Sequence, residues 1–121
     1  MASTFPKIVF GRGPIGPSGQ LPSFPDEESI EKLYKLLEER GVDTIDTGHV
    51  YGVSEEWIGK TGGGKHFTID SKTPGGLIPG SSTGKTIPQH AKETVEQLGV
   101  DKMARATLIC ATGSMDREYH Y

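Results

Sequence analysis

The sequence predicts an α/β fold in which parallel strands alternate with helices. Three observations carry that prediction. Short β-branched runs recur at Lys7–Phe10, Val42–Ile45 and His66–Asp70. A well-marked amphipathic helix fills the interval between the first two. Strand, helix and strand with a short joint at Gly41 make a βαβ signature, whose crossover implies parallel pairing.

Lys7 to Phe10 reads as the first strand. Gly11-Arg12-Gly13-Pro14-Ile15-Gly16 then fits the spacing of a dinucleotide fingerprint. That motif needs a helix opening inside the glycine turn, so that its N-terminus meets a pyrophosphate. Pro14, Pro17, Gly19 and Pro22 keep the chain irregular to about Phe24, so a plain glycine turn is expected.

A helix is expected over 25–40. Ser23 can cap it, Pro25 suits its first turn, and Asp26, Glu27 and Glu28 sit where the helix dipole favours acids. Ile30, Leu33, Tyr34 and Leu37 make one buried stripe, with Lys32, Lys35, Glu38 and Glu39 mostly on the other face. Gly41 suits the position after the last turn. The second strand, Val42 to Ile45, follows at once. Ser54 to Lys60 reads as a short helix capped by Ser54, with Trp57 and Ile58 inward, and Thr61 to Lys65 as a loop. His66 to Asp70 is the third strand, with Ser71-Lys72 just beyond it, and Thr73 to Pro79 is a further loop. Thr86 and Gln89 have capping-box spacing for a helix that runs to Leu98, buries Ala91, Val95 and Leu98, and stops at Gly99. Thr107 to Ala111 has strand composition. Thr112 to Tyr121 is polar and patternless, and is expected to fray. The division is thus 1–102, an organised unit, and 103–121, a divergent tail.

Composition narrows the function. The 121 residues suffice for one domain with a modest core, and 33 % are apolar. Glycine (17) and proline (8) leave room for generous loops. A net charge of −3 without a basic stripe argues against nucleic acid. No run approaches the ~18 apolar residues of a membrane span, and the lone Cys110 suits a reducing compartment. A soluble cytoplasmic protein is the expectation.

Weaker motifs are set aside. Gly80 to Thr86 ends in Gly-Lys-Thr, but its first glycine is one residue too close for a phosphate loop. Gly59 to Lys65 has the spacing, but His66 stands where a hydroxyl should bind magnesium. His49, His66, His90 and His120 are scattered without an i,i+4 pair, so no metal site is expected. Cys110 lacks a positioned base and reads as a small buried hydrophobe.

The stretch that carries chemistry is Asp46-Thr47-Gly48-His49-Val50-Tyr51, followed by Gly52. Asp46, Tyr51 and Lys72 all sit just past the ends of expected strands, where α/β folds build their sites. A phenol ordinarily titrates near ~10. An ammonium beside it favours the phenolate, and a carboxylate would hold that ammonium in place. Such a set serves as a general acid toward a carbonyl oxygen, which suits reduction of an aldehyde or ketone by a bound hydride donor.

At these residues the sequence resembles the aldo-keto reductases, particularly the aflatoxin-aldehyde-reductase and fungal secondary-metabolism branch. The matching segments are Phe10-Gly11-Arg12-Gly13, Gly41 to Thr47 with Tyr51-Gly52, Ser54-Glu55-Glu56 with Gly59, Ser71-Lys72, and Leu98 to Lys102. They cover about residues 5–102. The resemblance implies the first three to four parallel strands of a (β/α)8 TIM barrel with intervening helices. It implies NADPH as cofactor, with Tyr51 as proton donor, Lys72 tuning it, and Asp46 supporting the lysine. Asp46, Gly11 and Arg12 are the implied cofactor-side residues. Gly48 replaces a usual alanine, and Arg12 replaces a small or hydroxyl residue. Met103 to Tyr121 does not resemble the family's fourth strand, which ends in a catalytic histidine, and His120 lies in the wrong context. A family barrel has about 250 residues. The chain is therefore expected to be a shortened member, weak or inactive alone, with an apolar inner sheet face and two open edges through which it self-associates. The alternative is a non-catalytic remnant or interaction module that uses those edges.

Overall fold

The computed structural model describes residues 6–11, 15–17, 23–74, 80 and 82–101, and the backbone of 105–108. Eight elements appear in the order β1 (Phe10–Gly11), α1 (Glu27–Glu39), β2 (Thr44–Asp46), α2 (Ser54–Lys60), α3 (Gly63–His66), β3 (Thr68–Thr73), α4 (Thr86–Leu98) and β4 (Arg105–Leu108). The strands form one sheet in the order β1-β2-β3-β4, and every pairing is parallel. The α/β expectation therefore holds.

Register decides which side chains share a face. Phe10 pairs with Ile45 and Ile45 with Ile69, while Gly11 pairs with Asp46 and Asp46 with Asp70. Side chains alternate along a strand, so Ile45, Ile69 and Ser71 point to one face of the sheet. Thr44, Asp46, Thr68, Asp70 and Lys72 point to the other. The helices cover the first face. Its core joins Ile45 and Ile69 to Ile30, Leu33, Tyr34 and Leu37 of α1, Ile58 of α2 and Leu98 of α4. The opposite face is not apolar as expected: among the described residues of β2 and β3 it carries only hydroxyls and charges.

Helix α1 buries the predicted stripe and ends at Arg40, with Gly41 at φ 68°. Its cap is Asp26 and not Ser23. The Asp26 carboxylate accepts from the Ser29 backbone N–H at 2.8 Å, and the Ser29 hydroxyl accepts from the Asp26 N–H at 3.3 Å. These reciprocal bonds satisfy two donors that a helix start leaves over. Helix α2 matches its predicted span, but Ser54 is not its cap; the hydroxyl is fully buried elsewhere. Helix α4 spans the predicted Thr86–Leu98, and Gly99 takes φ 63° at its end. It buries Thr94 with Leu98, whereas Ala91 and Val95 are only partly covered. The reciprocal bonds at its start link Thr83 and Thr86, not Thr86 and Gln89.

The strands shift from their predicted bounds. β1 is only Phe10–Gly11, because its partner β2 begins at Thr44; Ile8 and Val9 are exposed. β3 starts two residues late and runs through Lys72 to Thr73, held by β2 on one side and β4 on the other. β4 is Arg105–Leu108, two residues ahead of the predicted Thr107 start. Part of the Thr61–Lys65 loop is the short helix α3. Residues 75–79, 109–121 and Arg12 lie outside the described residues, as do the expectations placed on Cys110, His120 and the fraying tail.

Close approach accounts for two glycines. A Cβ on Gly59 would lie 2.0 Å from the Gln97 carbonyl oxygen, so α2 can press against the end of α4 only with glycine there. A Cβ on Gly63 would meet the Tyr34 hydroxyl at 2.5 Å. That hydroxyl bonds to Thr61 at 2.9 Å, and burial pushes the phenol up from its ordinary value.

Candidate active site

The site lies at the C-terminal edge of β2 and β3, on the sheet face away from the helices. Asp46 is the last residue of β2. Beyond it the chain stays tied to β3: the Thr47 N–H donates to the Asp70 carbonyl and the His49 N–H to the Lys72 carbonyl, both at 2.9 Å. The backbone then turns. The Tyr51 N–H donates to the Gly48 carbonyl at 2.9 Å, and the Ser54 N–H to the Tyr51 carbonyl at 3.2 Å as α2 begins. These bonds fix Tyr51 above the two strand ends.

Lys72 shares a face with Asp46, because its register partner level is two residues beyond Asp70. Its ammonium donates to the Asp46 carboxylate and, at 2.8 Å, to the Thr47 carbonyl. The same nitrogen stands 5.7 Å from the centroid of the Tyr51 ring. The Lys72 side chain is 16 % exposed and that of Asp46 33 %. The pair is thus shielded, yet open on one side. A carboxylate that holds an ammonium against an aromatic ring gives a fixed positive charge beside a phenol. The three residues singled out in the sequence meet here, although Lys72 sits within β3 and not past its end.

Gly48 lines the same corner. An alanine Cβ there would meet the Tyr51 ring at 3.4 Å and the Lys72 Cβ at 3.6 Å, both ordinary contacts. The replacement of a usual alanine therefore leaves the arrangement undisturbed. Gly11 lies beside Asp46 in register and is exposed, so the ground next to the Asp46 carboxylate is open.

Sequence reasoning missed a second polar centre behind the first. Glu55 of α2 is 1 % exposed. It accepts from the Ser71 hydroxyl at 2.5 Å and from the Thr94 hydroxyl at 3.1 Å, and the His49 Nδ1 lies 3.2 Å from its Oε2. Ser54, also buried, bonds to the Thr47 hydroxyl at 3.0 Å and accepts from the Ile15 N–H at 3.3 Å. This network braces the loop between Asp46 and Tyr51 from below. A signal was available: Ser54, Glu55 and Ile58 fall at i, i+1 and i+4, one helical face. Two of the histidines are not scattered either, for the fold sets the His49 and His90 rings 5.0 Å apart.

With this geometry in hand, comparison with known proteins gives the family. The model of the aldo/keto reductase family matches residues 7–108. The chain belongs to that family. The match passes the expected limit at 102 and takes in β4. No curated protein matches the chain. Two solved structures from Pseudomonas aeruginosa, both described as aldo-keto reductases, are similar in fold. One superposes with a TM-score of 0.67 at 23 % identity, covering 84 % of this chain and 41 % of its own. The other has a TM-score of 0.69 at 22 % identity, covering 84 % and 40 %. The chain thus spans about two-fifths of the length of these structures, and its sheet corresponds to the N-terminal part of their barrel. Nothing in these comparisons supports the fungal aflatoxin-reductase branch. Among the described residues, no helix is long and apolar enough to cross a membrane.

Proposed function

We propose that this chain carries the proton-donating side of an NADPH-dependent aldehyde or ketone reductase. The observation that carries the reading is the Lys72 ammonium held by Asp46 and the Thr47 carbonyl while it faces the Tyr51 ring. Tyr51 donates a proton to the carbonyl oxygen of the substrate. Lys72 stabilises the negative charge left on the phenol oxygen, and Asp46 keeps Lys72 in place. NADPH, when bound, supplies the hydride. Gly11, Arg12 and Asp46 are the residues assigned to its side of the site, and the exposed ground beside Asp46 fits that role. A cytoplasmic location and a substrate from fungal-type secondary metabolism belong to the same reading, the latter resting on the sequence resemblance alone.

NADPH fluorescence and turnover of a reactive aldehyde test the proposal. Turnover by the chain alone is expected to be weak; where it is measurable, Tyr51→Phe is expected to keep NADPH binding within about twofold and to lower turnover by about 100-fold or more, the usual scale of general acid catalysis. Turnover that survives the substitution unchanged would overturn the role of Tyr51.

A second reading has its own observation. Among the described residues β1 and β4 pair on one side only, which leaves two sheet edges for association with another chain. In that reading the protein is an interaction module, and neither NADPH binding nor turnover is expected. Light scattering distinguishes them: a monomer that melts cooperatively counts against edge pairing.

A further inference from the structure

His49, in the loop that carries Tyr51, meets α4 at two side chains that the reductase chemistry does not use. His90 and Glu93 are one helical turn apart on α4 and present the same face. One ligand atom from each of His49, His90 and Glu93 can be chosen so that all lie within 4.8 Å of one another, and all three residues are partly buried. We propose that these three side chains bind a divalent transition-metal ion of the zinc class.

Hydrogen bonding does not account for the cluster. The His49 Nε2 stands 3.9 Å from the Glu93 Oε2, and the His90 Nδ1 stands 3.4 Å from the same oxygen. Both exceed the ~2.7–3.2 Å of an N–H···O bond. The His90 Nδ1 is buried and has no hydrogen-bond partner, a state that proteins seldom leave unexplained. Metal bonds of about 2.0–2.2 Å in tetrahedral array set neighbouring ligand atoms about 3.3–3.5 Å apart. The His49 arm stands about half an ångström too far from Glu93 on that scale and must close to bind.

The surroundings prepare two of the ligands. A histidine that binds metal through one ring nitrogen commonly gives its other N–H to a carboxylate, which fixes the tautomer and aims the ring. The His49 Nδ1 lies 3.2 Å from the fully buried Glu55 carboxylate, so its proton belongs there and the Nε2 lone pair faces Glu93. Glu93 is oriented in the same way. Its Oε1 accepts from the Gln89 amide at 2.9 Å, which leaves Oε2 toward the histidines. Two imidazoles and one carboxylate suit zinc, with a fourth position for water. Bound metal would clamp the Tyr51 loop to α4.

Zinc titration of the metal-stripped chain by calorimetry tests this. One ion per chain is expected, with affinity lowered at least tenfold in His90→Ala and in Glu93→Gln, far-UV circular dichroism being unchanged. Nitrogen-15 NMR of the wild-type imidazoles gives a check that needs no variant. Zinc should move the His49 Nε2 and His90 Nδ1 resonances and leave His66 in place. Absence of one-to-one binding, undiminished affinity in both variants, or shifts confined to His66 would overturn the proposal.

Discussion

Helix α1 and the α2–α4 pair cover the same sheet face by opposite means. Helix α1 docks through Ile30, Leu33, Tyr34 and Leu37, an unbroken apolar stripe. The α2–α4 contact encloses a carboxylate, Glu55, satisfied by hydroxyls from β3 and α4 and faced by a histidine from the β2–α2 loop. The first contact is non-directional and tolerant of small shifts, because hydrophobic attraction scales with area. The second demands fixed positions, because each donor has one partner and stranding it is costly. The fold places the directional contact directly beneath the loop from Asp46 to Tyr51. On the proposed function position matters there, since a proton donor must be held to a fraction of an ångström.

Substitutions can break that contrast. The largest effect is expected for Glu55→Leu, which keeps the bulk but strands Ser71, Thr94 and His49; a loss of about 4 kcal/mol follows from removing one partner of a buried polar set. Urea unfolding measures it, and a stabilised variant would show the α2–α4 contact to be ordinary apolar packing. Ile30→Ala removes a fully buried side chain from the other contact and should cost about 3 kcal/mol, scaling with the cavity left. Gly59→Ala drives a methyl into the Gln97 carbonyl and should cost about 2 kcal/mol through forced separation of α2 from α4.

The smallest effect concerns the start of α1. The Asp26 carboxyl is held below its usual range, first by the Ser29 backbone N–H and then by the Ser29 hydroxyl. A depressed folded value means the contribution is present above the unfolded value near ~4 and lost as pH falls through the folded one. The Tm of Asp26→Ala should lie slightly below wild type at pH 7, and the gap should close in acid. A gap that widens in acid would contradict the capping assignment.

The same contrast explains what was legible in the sequence. The α1 stripe repeats with helical period, so four residues a turn apart announce the helix and its buried face. Its cap was misread because Asp26 was assigned to the helix dipole, while its partner Ser29 replaces the acid that usually marks a capping box. The buried network has no such period: Thr47, the neighbours Ser54 and Glu55, Ser71 and Thr94 come from four places and meet only in the fold. β3 was cut short for a related reason. Asp70-Ser71-Lys72-Thr73 looks too polar for a central strand, yet Ser71 gives its hydroxyl to Glu55 and Lys72 its ammonium to Asp46. α3 was hidden by three glycines, of which Gly63 and Gly64 serve close packing and Gly62 a left-handed turn at φ 75°. The Asp46, Tyr51 and Lys72 set was legible because each sits near a strand end, where topology alone brings side chains together.

The central claim is that Asp46 holds the Lys72 ammonium against the Tyr51 ring. Side-chain NMR of selectively labelled protein tests it most directly. The account predicts nuclear Overhauser contacts between the Lys72 ε-methylene and the Tyr51 ring protons, lost or strongly weakened in Asp46→Ala. Their absence in the wild-type chain, or their persistence at full strength without Asp46, would contradict it.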